Sequence, residues 1–102
     1  MGRMLVRALV LGLVGLAAAP TCVRAASEAA GEALYADNCA PCHGEGLRNP
    51  GSSFDLKQLG RAERARFNGS VLGGKGQMPP WKGTLSDADL DDLWAYIRLN
   101  AD

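Results

Sequence analysis

The chain has 102 residues, with 11 basic and 11 acidic side chains and no net formal charge. This length is enough for one small domain, and the balanced charge excludes the strongly basic surface that is typical of nucleic-acid-binding domains. Only one histidine and three cysteines are present, which leaves few combinations of side chains for a metal site.

The first 25 residues have the layout of a secretory signal peptide. Arg3 and Arg7 precede an uninterrupted apolar stretch, residues 8–19, and small residues follow it. The apolar stretch is shorter than the roughly 20 residues that a membrane-spanning helix needs. We predict cleavage after Ala25, because signal peptidase requires a small residue immediately before the cut.

Cleavage there would leave residues 26–102, about 77 residues, as one domain in the periplasm. It removes three arginines and no acidic residue, so eight basic against 11 acidic side chains remain, a net charge of −3. The alternatives are a retained membrane anchor and a lipid anchor attached to Cys22. If Cys22 is removed with the signal peptide, Cys39 and Cys42 are the remaining thiols, in an oxidising compartment.

Three helices are predicted downstream of the signal peptide. The first follows Ser27, a favourable helix cap, and runs to about Asn38. The second runs from Arg61 to about Leu72 and alternates charged with apolar residues. Asn68-Gly69 should interrupt this second helix, and Gly73-Gly74 should end it.

The last helix is the most strongly indicated of the three. Ser86 is its cap, and acidic residues in the first turn favour the positive end of the helix dipole. Apolar residues then recur at helical spacing, at Leu90, Leu93, Trp94 and Ile97. No run of alternating β-branched residues occurs, so no sheet is predicted. Two long loops, residues 44–53 and 73–83, are expected to wrap around a bound group, because loops of this length are uncommon in so small a domain.

The segment Cys39-Ala40-Pro41-Cys42-His43 has the C-x-x-C-H pattern that attaches a c-type haem. Two thiols one helical turn apart can reach the two vinyl groups on one edge of a porphyrin, and the next residue then places an imidazole under the iron. For the second axial ligand we predict Met78. It is the only methionine left after removal of the signal peptide, and two prolines stiffen its loop.

Three other interpretations of the cysteine pair remain to be weighed. A structural zinc site needs four ligands, and Cys39, Cys42 and His43 are the only ones of the usual kind after cleavage. A thioredoxin-like redox pair expects a βαβ architecture, which the pattern does not indicate. A plain disulfide would close a loop too short to stabilise a domain near the lower size limit.

The chain resembles a small class I cytochrome c from Gly31 to about Leu99. In that family a glycine and an aromatic residue on the first helix cross a leucine and a tyrosine on the last helix. Gly31 and Tyr35 match the first pair, and Leu93 and Tyr96 match the second. The resemblance implies an all-α fold in which three to four helices and long loops wrap around one covalently attached haem c.

The resemblance also implies further contacts with the haem. In the family a proline carbonyl after the motif usually accepts a hydrogen bond from the second N–H of the ligand imidazole, and Pro50 is the candidate here. Trp81 is either a core aromatic residue or a hydrogen-bond donor to a haem propionate. The Met-Pro-Pro-Trp loop is similar to that of small cytochromes serving periplasmic dehydrogenases and to haem domains of haem-copper oxidases.

Iron held by His43 and Met78 would have a raised reduction potential and no open position, so we expect an electron carrier and not an enzyme. The expected partners are redox proteins, with a periplasmic dehydrogenase as donor and a terminal oxidase or another cytochrome as acceptor. No nucleic-acid partner and no stable membrane span after cleavage are expected. The alternatives are a cytochrome subunit of a dehydrogenase complex and a haem protein that binds small ligands or reacts with peroxide.

Charge is unevenly distributed along the chain. Residues 57–82 contain six basic side chains and one acidic side chain, whereas the last helix begins with Asp87, Asp89, Asp91 and Asp92. We expect the basic segment to surround the haem edge and to attract an acidic partner, and the acidic helix to face away from it.

Overall fold

The computed structural model describes residues 24–102, together with the isolated Gly12 and Gly15. The predicted signal peptide therefore lies almost entirely outside the described residues. Four α-helices form the fold, and residues 24–102 contain isolated β-bridges but no sheet. This confirms the all-α prediction. Over the same residues, no helix combines the length and the apolar character that crossing a membrane requires.

The first two helices meet at Cys39. Helix α1 spans Glu28–Asn38, and the Ser27 hydroxyl accepts a hydrogen bond from the Ala30 N–H at 3.1 Å, as predicted for its cap. Helix α2, Ala40–His43, is a single turn that the sequence pattern did not indicate. Pro41 is compatible with this turn because the first N–H groups of a helix need no partner within it.

Helix α3 spans Arg64–Gly73 and follows a 3₁₀ turn at Arg61–Glu63. The helix runs without a break through Gly69, so the predicted interruption there is wrong. It ends where Gly74 takes a φ of +75°, a left-handed conformation that suits glycine.

Helix α4 spans Asp87–Asn100 and begins with reciprocal hydrogen bonds. The Ser86 hydroxyl accepts from the Asp89 N–H at 3.1 Å, and the Asp89 carboxylate accepts from the Ser86 N–H at 2.9 Å. Such a capping box satisfies two backbone donors that the helix leaves free. The prediction of a helix after Ser86 is confirmed.

Helices α1 and α4 cross in close contact at Gly31. A Cβ added at Gly31 would lie 1.9 Å from the Asp92 carbonyl oxygen and 2.9 Å from the Tyr96 Cβ. One turn further along α1, the rings of Tyr35 and Tyr96 pack in a tilted arrangement with centroids 5.2 Å apart. The structure therefore places three of the four family residues, Gly31, Tyr35 and Tyr96, at one helix crossing.

The remaining core joins α3 and the loops to this crossing. Its buried side chains outside α1 and α4 are Leu47, Leu59, Phe67, Val71 and Leu85. Phe67 of α3 packs against Trp94 of α4 with ring centroids 5.3 Å apart. The Arg98 guanidinium donates to the Leu59 carbonyl and so fastens the segment that precedes α3 to α4.

Candidate haem site

A cavity of about 610 Å³ opens between α2, α3 and the loop that carries Met78. This volume lies within the range of roughly 300–1,000 Å³ that is common for sites holding small molecules and cofactors. Five of the predicted site residues line it: Cys39, Cys42, His43, Met78 and Trp81. The apolar side chains of Phe67, Val71 and Ile97 form part of its wall. Pro50, the sixth predicted residue, does not line the cavity.

Cys39 is the cap of the single turn of α2, and Cys42 lies within that turn. The His43 N–H donates to the Cys39 carbonyl at 2.9 Å, which closes the turn and places Cys39, Cys42 and His43 side by side. Cys39 is half-buried and Cys42 is exposed, and the two sulfurs are not joined in a disulfide. Burial, and to a lesser extent the neighbouring Cys42, raises the pKa of the Cys39 thiol to about 11. A thioredoxin-like redox pair expects a βαβ architecture, and residues 24–102 form helices and no sheet, so the structure does not favour that alternative.

The His43 ring is oriented by a backbone carbonyl. Its Nδ1 lies 3.2 Å from the Phe54 carbonyl oxygen. Because a carbonyl oxygen only accepts hydrogen bonds, Nδ1 carries the proton in this arrangement and Nε2 keeps its lone pair. A backbone acceptor of this kind fixes the tautomer and increases the basicity of a ligating imidazole. His43 is therefore arranged to offer Nε2 to a metal in the cavity.

The predicted acceptor for His43 was the carbonyl of Pro50, and the structure places Phe54 there instead. The Asn49 side-chain amide donates to the Ser53 carbonyl at 2.8 Å, and the Asn49 side-chain oxygen accepts from the Gly51 N–H at 2.9 Å. These bonds turn the loop so that Pro50 is exposed, with its ring against Gly44.

The same loop is anchored to the motif where it returns to the cavity. The Ser53 hydroxyl donates to the Cys42 carbonyl at 3.0 Å, which brings Phe54 beside His43. Sequence reasoning missed Phe54, because a backbone acceptor depends on the path of the loop and not on the residue type. The Asn49 and Ser53 side chains, typical of turns, were the available signal.

Met78 lies in a tight turn. Backbone hydrogen bonds join Lys75 and Met78 in both directions, at 3.0 and 3.1 Å. Gly74 approaches the turn closely, since a Cβ there would lie 2.8 Å from the Met78 carbonyl oxygen. The Trp81 N–H then donates to the Val71 carbonyl at 2.8 Å, which fixes the far end of the loop to α3. The Met78 side chain is half-buried against the core.

The charges around the cavity suit a group with carboxylates. Arg66 and Lys75 line it, and no aspartate or glutamate does among the described residues. Two thiols, an imidazole, a thioether, apolar walls and two cations together fit a haem, whose propionates are anionic. Trp81 both lines the cavity and packs against the core, so its two predicted roles are compatible with each other.

The expectation that the acidic helix faces away from the basic segment is wrong. Arg64 of α3 forms an ion pair with Asp91 of α4 at 2.6 Å. Arg66 is 3.2 Å from Glu63 and lies over the Phe54 ring, 4.6 Å from its centroid. Two basic side chains of the segment therefore have acidic partners within the domain. The Arg64 pair forms because α3 and α4 pack against each other through Phe67 and Trp94, whereas the Arg66 pair joins residues three apart in one segment.

Comparison with known proteins agrees with the site geometry. The family model described as cytochrome c oxidase, cbb3-type, subunit III, matches residues 26–97. Cytochrome c6 of Synechocystis sp. is 39% identical over 83 residues, which cover 76% of this chain and 69% of that protein. A cbb3-type cytochrome c oxidase subunit CcoP of Cereibacter sphaeroides is 37% identical over 80 residues. That match covers 72% of this chain but only 28% of CcoP.

A solved structure extends the similarity to the fold. Cytochrome c6 of the diatom Phaeodactylum tricornutum superposes with a TM-score of 0.58 at 30% identity, covering 74% of this chain and 94% of that chain. A cytochrome c fold accounts for three features together: the helix crossing at Gly31, the cysteine motif at α2 and the cavity beside that motif. The chain belongs to the small class I cytochromes c, a family of electron carriers that use haem c.

Proposed function

We propose that this chain is an exported cytochrome with one haem, attached through Cys39 and Cys42 and ligated by His43 and Met78, that carries one electron at a time. The observation that carries the proposal is that these four side chains, which come from two separate segments, line one cavity. When bound, the haem supplies the redox chemistry, and the protein supplies ligation, a dry site and a docking surface.

Each residue then has a defined task. The Phe54 carbonyl holds the proton on His43 Nδ1, which leaves Nε2 available to the iron. The turn closed by Lys75 and Met78 presents the thioether from the other segment. A histidine and a methionine together raise the reduction potential of haem iron. If His43 and Met78 both hold the iron, they would leave no position open to a substrate, and this would favour electron transfer over binding of gases or peroxide.

A spectroelectrochemical titration tests this proposal. The purified holoprotein should follow a one-electron Nernst curve, and its ferric form should show the weak red absorption band of methionine sulfur on haem iron. Added cyanide or imidazole should bind slowly and weakly. Rapid ligand binding and absence of the red band would favour the alternative of a ligand-binding or peroxidatic haem protein.

Export is part of the same proposal. Arg3, Arg7 and the apolar residues 8–19 have the layout of a signal peptide, and we propose cleavage after Ala25 and a periplasmic location. A free thiol pair in that compartment would be exposed to oxidation, whereas thioether bonds to haem remove this vulnerability. The mass of the protein recovered from a periplasmic extract would locate the mature N-terminus.

The similar proteins suggest where the electrons come from and go to. Besides CcoP, a dihydro-heme d1 dehydrogenase of Pseudomonas aeruginosa is 40% identical over 75 residues, which cover 15% of that protein. We propose a dehydrogenase as donor and an oxidase or another cytochrome as acceptor. Whether the chain is a free carrier or a subunit of a dehydrogenase complex would be decided by gel filtration of a gentle cell extract, because a subunit elutes with its complex.

The exposed cations at the cavity mark the proposed docking surface. Arg66 and Lys75 line the cavity and are exposed, and Phe54, with 43% of its surface exposed, lies under the Arg66 guanidinium. A positive rim around an apolar opening favours an acidic partner and increases encounter rates more than affinity. Arg66 pairs with Glu63 at 3.2 Å and Arg64 pairs with Asp91 at 2.6 Å, and these acidic partners reduce the contribution of both arginines to the positive charge of the rim.

A further inference from the structure

Asp92 is a buried carboxylate that binds the segment in front of α1. Its side chain is only 2% exposed, although it follows three other aspartates on α4. One carboxylate oxygen accepts from the Ser27 N–H at 2.8 Å, and the other accepts from the Arg24 guanidinium at 2.7 Å. The bond from Ser27, aided by Arg24 and opposed by burial, lowers the pKa of Asp92 below its usual value. Both oxygens thus have donors, and Arg24 is the only cation paired with Asp92 among the described residues.

Cleavage after Ala25 would remove that cation. Asp92 Oδ2 would then lose its donor, and the carboxylate, which is 2% exposed with Arg24 seated on it, would become more open to water. A carboxylate that loses its cation loses a charge-assisted hydrogen bond, one of the stronger kinds in proteins. Cleavage also creates a new cation, the α-ammonium group of Ala26. Ala26 directly precedes Ser27, whose N–H already touches Asp92, and successive Cα atoms are about 3.8 Å apart. The new ammonium group therefore lies one residue before Ser27, whose N–H binds the Asp92 carboxylate.

We propose that the α-ammonium group of Ala26 replaces the Arg24 guanidinium as the partner of Asp92 in the mature protein. Asp92 is then a receptor for the processed N-terminus, and it fixes the start of α1 against α4. The inference rests on the export step proposed above, but it is independent of the ligation of the haem, because Asp92, Ser27 and Ala26 lie outside the lining of the cavity.

The pair has a distinct pH dependence. An α-amino group in an unfolded chain has a pKa of about 7.7–8.0, and a carboxylate partner raises the pKa in the folded state. The stabilisation is therefore complete below the unfolded pKa and is lost as the pH rises through the folded pKa. For each unit by which the folded-state pKa exceeds the unfolded-state pKa, the unfolding equilibrium constant increases about tenfold as the pH rises from below the lower pKa to above the higher one.

The other titratable side chains near the pair lie on α1, α4 and the turn beside them. They are Glu28, Glu32, Tyr35, Glu45, Asp89, Asp91 and Tyr96. Burial raises the pKa of Tyr96 above its usual value of 10.0 and raises the pKa of Tyr35 to about 12. Because Asp92→Asn retains all of these groups, a change in stability between pH 7 and pH 9 that this variant abolishes reports the amino group.

The test uses the exported holoprotein and three variants: Asp92→Asn, Asp91→Asn and Arg24→Gln. Asp91→Asn is the matched control, because it makes the same charge change at a neighbouring carboxylate that is 55% exposed and pairs with Arg64. The N-terminus is identified by mass spectrometry, and unfolding by denaturant is followed by circular dichroism at pH 7 and pH 9. Spectrum and reduction potential are recorded for each variant as a separate check on the haem site.

We expect the wild type and Asp91→Asn to start at Ala26 and to lose about five- to tenfold in folding equilibrium constant from pH 7 to pH 9, for a folded-state pKa one or more units above the unfolded value. Asp92→Asn should be less stable at pH 7 and should lack this dependence. The mature form of Arg24→Gln should be identical in mass and stability to the wild type. An N-terminus that retains Arg24, or an Asp92→Asn variant with the same pH dependence as the wild type, would overturn the proposal. Neither result would alter the spectrum expected for His43 and Met78.

Discussion

Replacing Gly31 with alanine should weaken the fold at the crossing of α1 and α4. The added Cβ would lie 1.9 Å from the Asp92 carbonyl oxygen and 2.6 Å from its carbon. The first distance falls about 1.5 Å short of the 3.4 Å at which ordinary van der Waals contact begins. Both opposing atoms belong to the backbone of α4, so no side-chain rotation can relieve the overlap and the two helices must separate.

The size of the effect follows from three contributions. Overpacking of a well-packed contact typically costs about 1–3 kcal/mol, and backbone atoms on the opposing side place Gly31→Ala in the upper half of that range. Separation of the helices also weakens the contact between Tyr35 and Tyr96, and aromatic pairs contribute about 0.5–1.5 kcal/mol. Alanine recovers about 1 kcal/mol through its higher helix propensity. The free energy of unfolding should therefore fall by about 2–3 kcal/mol.

Gly69→Ala provides the matched control. Gly69 lies within α3, and a Cβ added there meets nothing within 4 Å. The same substitution should therefore increase the free energy of unfolding by about 0.5–1 kcal/mol. Denaturant unfolding of the ferric holoproteins, followed by circular dichroism, measures both changes. A Gly31→Ala protein as stable as the wild type, or equal losses in both variants, would refute the reasoning.

Three further predictions concern the haem site. Met78→Ala should lose the weak red band, lower the reduction potential and bind added imidazole readily. Thr84→Ala, which is exposed and outside the cavity lining, should keep all three wild-type properties. An unchanged potential in Met78→Ala would exclude Met78 as ligand. Cys39→Ala or Cys42→Ala should leave at most one thioether bond and reduce the yield of folded holoprotein, because about 77 residues without a disulfide have little else to stabilise a core. Mass spectrometry counts the bound haem, and circular dichroism measures the folded fraction. A well-folded haem-free chain would contradict this prediction. Replacing both Arg66 and Lys75 with glutamate should slow electron exchange with the natural partner at low salt, and the difference from the wild type should shrink as the salt concentration rises. Arg48→Glu, at an exposed position outside the cavity, should have a smaller effect. Equal kinetics for the double variant and the wild type at all salt concentrations would exclude the docking surface.

The helices with local signals could be predicted from the sequence. Ser27 and Ser86 begin α1 and α4 because their hydroxyls satisfy backbone donors within three residues, and such bonds depend only on neighbouring residues. The crossing at Gly31 needed the family resemblance, since composition does not indicate which helices meet. The chemical identity of the site came from the motif, because histidine and methionine each occur once and cysteine twice in residues 26–102.

Features that depend on the path of the chain could not be predicted in the same way. The Phe54 carbonyl faces His43 because Asn49 and Ser53 fold the loop back, and nothing in the residue type of Phe54 indicates this. Asp92 was assigned to an exposed acidic surface together with Asp91, although the two differ in environment. A signal did exist, since Asp92 lies one helical turn before Tyr96 and so shares the face that meets α1.

The central claim, one haem bound covalently by Cys39 and Cys42, is tested most directly by the intact mass of the exported protein. The account predicts a chain that begins at Ala26 and carries the mass of one haem, which stays attached in acidified organic solvent. Its pyridine haemochrome spectrum should be that of a haem with two thioether bonds. A polypeptide with no added mass, or a haem that is extracted by the solvent, would contradict the account.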